Sequence, residues 1–233
     1  MSIILPKVEA ATQPPYDAKE YKSTALRHPR APLVAITHGL GELTGPQFGP
    51  DILLGPKSTD LTTQLGSVVM GERIVVSGRV VDEDDRPLRG ALVELWQANA
   101  AGRYPHPVDQ HDAPLEGNFS GRGRAITDDN GWYRFVTIRP GAYPWRNHHN
   151  AWRPTHIHFS VFGHGFASRM VTQMYFPGDP LLPFDPIFNS VPDEAARYRL
   201  VSRFDFDLTV PEWALGYRFD IVLRGREATP MEA

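Results

Sequence analysis

Short apolar runs, separated by clusters of turn-forming residues, occupy the chain from about residue 72 onward. The runs are rich in β-branched and aromatic residues, which favour strands over helices. The predicted strands are Arg73–Val81, Ala91–Trp96, Trp132–Ile138, His156–Phe162, Arg169–Phe176, Phe204–Val210 and Tyr217–Leu223. Polar turns at 82–87 and 128–131 separate some of them. About seven short strands of this kind predict an antiparallel β-sandwich.

Two segments depart from the strand pattern. Near 192–201, Asp193 and Glu194 suit the first turn of one short helix, where carboxylates stabilise the positive end of the helix dipole. Residues 1–70 contain recurrent prolines and read as an irregular N-terminal arm, but one too apolar to remain solvated. We therefore expect the arm to wrap over its own domain or a partner subunit, with the β-sandwich domain at 71–233.

Composition limits the chemistry. The 233-residue chain has a net charge of −3 and contains no cysteine, which excludes zinc fingers, iron–sulfur clusters, thiolate nucleophiles and disulfides. A bound metal would therefore need nitrogen or oxygen ligands. No apolar run approaches the ~20 residues of a membrane span, and the segment 3–5 is too short for a signal-peptide core. We expect a cytoplasmic protein.

The pair His156 and His158 carries the clearest chemical signal. Alternate side chains of a strand project from one face, so both imidazoles would point the same way. They could be half of a metal site, or two half-buried imidazoles bonded to backbone. Tyr104 and Tyr143 each precede a proline and could supply anionic oxygen to ferric iron, or be ordinary satisfied aromatics.

Arg153 lies between a tryptophan and a proline, close in sequence to His156. It could stabilise developing negative charge, or be a surface arginine paired with a carboxylate. The other histidines lie in polar loops or lack a ligand-like partner; they are His28, His38, His106, His111, His148, His149 and His164.

Several segments, in order and spacing, resemble a known family. They are 78–82, 95–99, 102–104, 127–128, Gly131, 140–141, 143–147, 152–154, 156–159, 175–176, 178–180 and 217–225, with looser matches at 21–23 and 44–46. Taken together they resemble the intradiol ring-cleavage dioxygenases, specifically those built from an iron-bearing β chain and an α chain. The resemblance implies a transthyretin-like sandwich and an α subunit as partner.

The same resemblance implies the site residues. Ferric iron, one Fe(III) per chain, would bind four protein ligands and a hydroxide. Arg153 would stabilise charge on the ring, and Tyr143 would leave the iron and accept a substrate proton. Trp145 and Gln173 would line the cavity, and Tyr21 would lie at its mouth. The four implied ligands are Tyr104, Tyr143, His156 and His158.

The implied reaction is cleavage of protocatechuate (3,4-dihydroxybenzoate) by O2 to 3-carboxy-cis,cis-muconate, in aromatic catabolism through the β-ketoadipate pathway. One alternative is an intradiol enzyme for another 4-substituted catechol or hydroxyquinol. Another is a non-catalytic β-sandwich binding module. A third is a copper or zinc protein that uses His156, His158, His148 and His149.

Overall fold

The computed structural model describes residues 10–32, 59–147, 149, 152–162 and 169–232. The strands within these ranges are β1 (Arg73–Val81), β2 (Leu92–Trp96), β3 (Arg122–Ile126), β4 (Trp132–Ile138), β5 (Tyr143–Pro144), β6 (Trp152–Arg153), β7 (His156–Phe162), β8 (Met170–Tyr175), β9 (Arg203–Phe204), β10 (Leu215–Arg218) and β11 (Ile221–Val222). The helices are α1 (Thr24–Arg27), α2 (Pro186–Asn189), α3 (Glu194–Tyr198) and two 3₁₀ turns, Ala10–Thr12 and Leu182–Phe184.

The strands form two main sheets and a small ribbon. One sheet has the order β3-β2-β7-β8 and is wholly antiparallel. The other is built around β1, which pairs antiparallel with β4 and parallel with both β10 and β11. Strand β9 extends this second sheet beyond β10, and β5 and β6 pair with each other. The sandwich is confirmed, with the difference that two of its pairings are parallel.

The main core lies between the two sheets. Alternate residues of β7, namely Ile157, Phe159 and Val161, are almost fully buried in it. The facing sheet contributes Val76 and Phe135, both inaccessible to solvent. Because neighbouring side chains of a strand point in opposite directions, the histidines of β7 are directed to the outer face of the four-stranded sheet.

The described parts of the N-terminal arm pack against the same chain. The backbone N–H of Asp193 donates to the Ala11 carbonyl at 2.9 Å, and that of Ser23 donates to Asn147 Oδ1 at 2.9 Å. Leu61 is fully buried in the main core. The division of the chain at residue 70 stays a prediction, and residues 33–58 lie outside the described part of the arm.

The strand predictions hold best where a strand is long and buried. Strands β1, β4 and β7 have the predicted bounds; β2 begins one residue later than predicted, and β8 is one residue shorter at each end. The predicted strand Phe204–Val210 is wrong after its first residue. The Asp205 side chain accepts the backbone N–H groups of Asp207 and Leu208, so the chain turns there instead of extending.

The predicted strand Tyr217–Leu223 is divided into β10 and β11. Between them, Asp220 Oδ1 accepts the backbone N–H of Arg79 at 2.8 Å and interrupts the regular pairing with β1. Three short strands, β3, β5 and β6, carry no clear sequence pattern and were not predicted.

The helix predicted near 192–201 is confirmed as α3, which is shorter than the segment. The Asp193 side chain caps it by accepting the backbone N–H of Ala196 at 2.7 Å, and Glu194 occupies the first turn. The prediction of a single helix is wrong, because α1 and α2 are also present. Each spans only four residues, too few to show helical periodicity. Within the described ranges, no helix is long and apolar enough to cross a membrane.

Candidate active site

The outer face of the four-stranded sheet gathers side chains from three neighbouring strands. His158 of β7 lies between Trp96 of β2 and Gln173 of β8 in the strand register. The His158 and Trp96 rings stack with centroids 4.8 Å apart and planes 4° from parallel. His156 lies two residues earlier on the same face, opposite Tyr175, with its ring centroid 5.0 Å from that of His158. The predicted same-face geometry of the histidine pair is therefore confirmed.

Two loops bring the tyrosines to this face, and they meet through glycine backbone. A Cβ atom on Gly102 would lie 2.1 Å from the Ala142 carbonyl oxygen, so no other residue fits at this contact. Gly102 also has a φ of +76°, which favours glycine. Tyr104 follows one side of this contact and Tyr143 the other, and their ring centroids are 5.5 Å apart at 85°.

The four predicted ligands converge. Tyr143 Oη lies 3.2 Å from His156 Nε2, and the Tyr104 ring centroid is 6.5 Å from that of His158. The Tyr104 hydroxyl is buried and has no hydrogen-bond partner of acceptable geometry in the described chain. A buried phenol with an unused oxygen is costly unless another group binds it.

The His156 ring has a defined tautomer. Its Nδ1 lies 2.7 Å from the Pro154 carbonyl oxygen, which can only accept, so Nδ1 carries the proton and Nε2 presents a lone pair. Burial, followed by the positive charge of Arg153, holds the pKa of His156 well below 6.5. The neutral imidazole therefore directs an available nitrogen toward Tyr143.

The Tyr104 and Tyr143 phenols are protonated unless a metal ion binds them. Burial raises the pKa of Tyr104 well above 10.0, and the neighbouring Tyr143 raises it further. Burial also raises the pKa of Tyr143, although the charge of Arg153 opposes the shift. Bound metal ions reverse this preference and deprotonate their ligands. An unpartnered phenol, a second phenol and an oriented imidazole thus fit a hard trivalent cation.

Arg153 is buried, with only 2% of its side chain exposed, and it is paired with Asp185. Its Nε and Nη2 atoms donate to the two Asp185 oxygens at 3.0 and 2.8 Å. Nη2 also donates to Gln173 Oε1 at 2.7 Å, and Nη1 lies 3.3 Å from His156 Nε2. The alternative of a surface arginine is therefore wrong, and the guanidinium charge is fixed beside the histidine.

A cleft of about 950 Å³ opens over the tyrosines. Its described lining includes Trp96, Tyr104, Tyr143 and Trp145. Gln173 is not among the described lining residues. Its side chain accepts a hydrogen bond from the buried Arg153.

Tyr21 is buried rather than open to the cleft mouth. Its ring packs edge-on against Trp145 at 5.3 Å, and the Arg27 guanidinium lies 4.7 Å over its centroid. Tyr21 therefore supports a wall of the cleft from behind.

Sequence reasoning missed three residues of this region. Asp185 accepts hydrogen bonds from the Tyr175 hydroxyl, at 2.7 Å, and from Arg153. Asp185 and Tyr175 therefore both belong to the buried network. Glu232 places a carboxylate oxygen 3.4 Å from His158 Nδ1. Burial opposes its ionisation, yet the adjacent His158 imidazole lowers the pKa of Glu232 to about 2. Asp185, Tyr175 and Glu232 are all distant from the histidines in the sequence. The Asp-Pro pair at the start of α2 is the local signal that the sequence offers for Asp185.

Comparison with known proteins agrees with this geometry. Residues 43–225 match the family described as Dioxygenase, and residues 9–38 match the protocatechuate 3,4-dioxygenase beta subunit N-terminal family. Over 223 residues the chain is 59% identical to the protocatechuate 3,4-dioxygenase beta chain of Burkholderia cepacia, which covers 95% of this chain and 94% of that one.

Two further relatives define the range of similarity. The protocatechuate 3,4-dioxygenase alpha chain of Burkholderia cepacia is 30% identical over 186 residues, 78% of this chain and 86% of that one. The structure of 3-chlorocatechol 1,2-dioxygenase from Rhodococcus opacus matches with a TM-score of 0.56 at 24% identity, covering 77% of this chain and 70% of that one. This last similarity shows the shared fold.

The chain therefore belongs to the dioxygenase family whose members cleave catechol rings in the intradiol manner. Within that family, the match of its N-terminal segment and its near full-length identity group it with the beta chains of protocatechuate 3,4-dioxygenase. It is an enzyme of a class that depends on iron.

Proposed function

We propose that this chain is the iron-binding subunit of an enzyme that cleaves protocatechuate with O2 to 3-carboxy-cis,cis-muconate. One observation carries the proposal most directly. Two tyrosines that line the cleft converge with two histidines of strand β7, beside a buried arginine. Relatives that act on protocatechuate supply the substrate class.

Four side chains would hold one ferric ion: Tyr104, Tyr143, His156 and His158. When bound, this ion would supply Lewis acidity for binding a catechol through its two oxygens and for activating the ring toward O2. Within the described ranges, no three residues among His, Cys, Asp and Glu lie together as a metal site. The copper or zinc alternative thus has no support from them, and His148 lies outside the described chain.

The protein residues have separate tasks in this reaction. The Tyr143 oxygen, as a phenolate at the cleft, accepts one catechol proton, which makes it the base of the substrate-binding step. The Arg153 guanidinium lies beside this position and stabilises negative charge that develops on the ring. Asp185 and Gln173 keep the guanidinium from turning away, since both accept hydrogen bonds from it.

The described lining of the cleft includes two cationic side chains, Arg122 and Arg146. From the alpha and beta chains of the relatives, we infer that an alpha chain completes the substrate site. A 3,4-dihydroxybenzoate would then bind iron through its hydroxyls and reach the partner through its carboxylate.

The proposal is tested by co-expressing the chain with an alpha chain and recording visible spectra without oxygen. Tyrosinate bound to ferric iron should give a red-brown band that changes when protocatechuate is added. Admission of O2 should then bleach the substrate complex, with matching oxygen uptake and muconate formation. A colourless protein that consumes no oxygen after iron loading would contradict the proposal.

A matched pair of variants makes the spectrum specific. Tyr104→Phe removes one proposed phenolate and should weaken or shift the band. Tyr16→Phe alters a tyrosine that is 61% exposed in the N-terminal arm and should leave the band unchanged. Equal spectra for both variants would remove Tyr104 from the ligand set.

A further inference from the structure

The C-terminal segment, residues 228–232, is held against both sheets of the sandwich. The backbone N–H of Thr229 donates to the Val222 carbonyl in β11 at 2.9 Å. The N–H of Glu232 donates to the Val171 carbonyl in β8 at 2.8 Å, and Thr172 Oγ1 donates to the Pro230 carbonyl at 2.7 Å. The segment therefore has a fixed path along the edge of the sheet that bears the histidines.

This path brings Glu232 to His158. Glu232 Oε2 lies 3.4 Å from His158 Nδ1, with the side chains 19% and 12% exposed. The imidazole cannot tilt freely, because Trp96 stacks on its face. Nδ1 is buried and forms no hydrogen bond of acceptable geometry within the described residues, so the carboxylate is the polar group that approaches it.

The two histidines differ in what addresses Nδ1. For His156 it is the Pro154 carbonyl, which belongs to the same stretch of chain. For His158 it is the Glu232 carboxylate, which belongs to the C-terminal segment. When a metal-binding histidine donates a hydrogen bond from its other ring nitrogen to a carboxylate, the carboxylate fixes the tautomer of the ring. It also makes the metal-binding nitrogen a stronger electron donor.

We propose that Glu232 is a positioning residue for the metal centre, and that it accepts a hydrogen bond from the Nδ1–H group of His158 so that Nε2 is presented to the ion. The inference rests on the proposed function, because it assigns His158 to the iron. It gives the C-terminal segment a role in retaining and tuning the metal. Removal of such a partner typically weakens metal binding by about 10- to 100-fold.

The test compares Glu232→Gln with Glu227→Gln in the full chain, co-expressed with its alpha chain and loaded with iron. Glu227 is a suitable control because its carboxylate pairs with Arg199 at 2.7 Å and is 73% exposed. We expect Glu232→Gln to release iron to a chelator about 10- to 100-fold faster than wild type. Glu227→Gln should release it at the wild-type rate.

Electron paramagnetic resonance of the ferric ion supplies a readout that a purely structural role would not move. Iron that remains in Glu232→Gln should show an altered signal, because the His158 donor has changed. A wild-type signal, combined with a lower unfolding temperature of the metal-free variant, would overturn the positioning role in favour of simple packing. Unchanged iron release would also overturn it. A wild-type chain that takes up no iron would instead overturn the proposed function itself, and this inference with it.

Discussion

Asp185 determines where the charge of Arg153 lies. The carboxylate is fully buried and also caps α2 by accepting the backbone N–H of Phe188. Burial opposes the charge of Arg153, but the attraction of Asp185, together with Tyr175 and Tyr143, raises the pKa of Arg153 well above its ordinary value. The arginine therefore stays charged, and Asp185 is the carboxylate that balances its charge. A buried charge left without its partner is strongly destabilising.

Asp185→Asn should therefore lower the free energy of unfolding by about 3–5 kcal/mol, the usual cost of breaking a buried ion pair. Denaturant titration of the metal-free chain measures this change. Asp129→Asn is the control, because Asp129 pairs with Arg89 at the surface, where both side chains are at least 75% exposed. A similar loss for both variants would show that the buried pair contributes no more than a surface one.

For single residues, the sequence predicts which way a side chain points but not which distant side chain it contacts. The alternation of a strand is enough to place His156 and His158 on one face, since it depends only on neighbours. Asp185 lies 32 residues from Arg153, and nothing local specifies that they meet. Glu232 belongs to yet another part of the chain, and only the packed sheets bring it to His158.

Among the elements, the contact between the two tyrosine loops is the most demanding. Gly102 and Gly141 both donate their backbone N–H to the Asn99 carbonyl, at 3.0 and 2.9 Å. The Asn99 side chain in turn accepts the N–H groups of Ala101 and Arg103. One asparagine thus organises both loops, and the tyrosines are placed by backbone hydrogen bonds rather than by side-chain packing alone.

Gly102→Ala should separate these loops, because the new methyl group would overlap the Ala142 carbonyl and the residue would have to keep a positive φ. We expect a loss of about 1–3 kcal/mol in unfolding free energy from the strained backbone. We also expect a weaker tyrosinate band per chain. Gly117→Ala, with nothing within 4 Å of the added Cβ, should change neither quantity. Wild-type stability and colour in Gly102→Ala would contradict this account of the loops.

Element boundaries were predicted well where hydrophobic burial decides them. Strand β1 is rich in β-branched residues and buried on both faces, so its pattern is clear in the sequence. The failure at Phe204–Val210 has a local cause, because Asp205 offers the backbone a turn that competes with strand pairing. Short elements such as β5 and β6 cannot be predicted in this way, because a two-residue strand has no periodicity to detect.

Across the whole molecule, several phenols are buried in a way that links stability to alkaline pH. Burial is the largest cause of a raised pKa in each of them, and four such residues are Tyr104, Tyr133, Tyr143 and Tyr175. An unfolded tyrosine ionises near pH 10. The stabilising effect of these neutral phenols is therefore complete below about pH 10 and is lost as the pH rises above it.

The metal-free chain should accordingly lose stability above pH 10, with each such tyrosine contributing a slope of up to about 1.4 kcal/mol per pH unit. Urea titrations at pH 9, 10 and 11 measure the slope. Tyr133→Phe should reduce it, since Tyr133 is buried in the main core and is not a proposed ligand. Tyr16→Phe should leave the slope as it is. A slope in Tyr133→Phe as steep as in wild type would contradict the linkage.

Strand β1 has a consequence for how the chain is made. Arg79 of this strand bonds to Asp220, a residue 141 positions later, and both parallel partners of β1 come from the same late part of the sequence. During translation, β1 leaves the ribosome long before β10 and β11 exist. The second sheet can therefore close only after residues 215–222 have been made, and until then one edge of β1, with its unpaired backbone N–H and C=O groups, needs protection from other nascent chains.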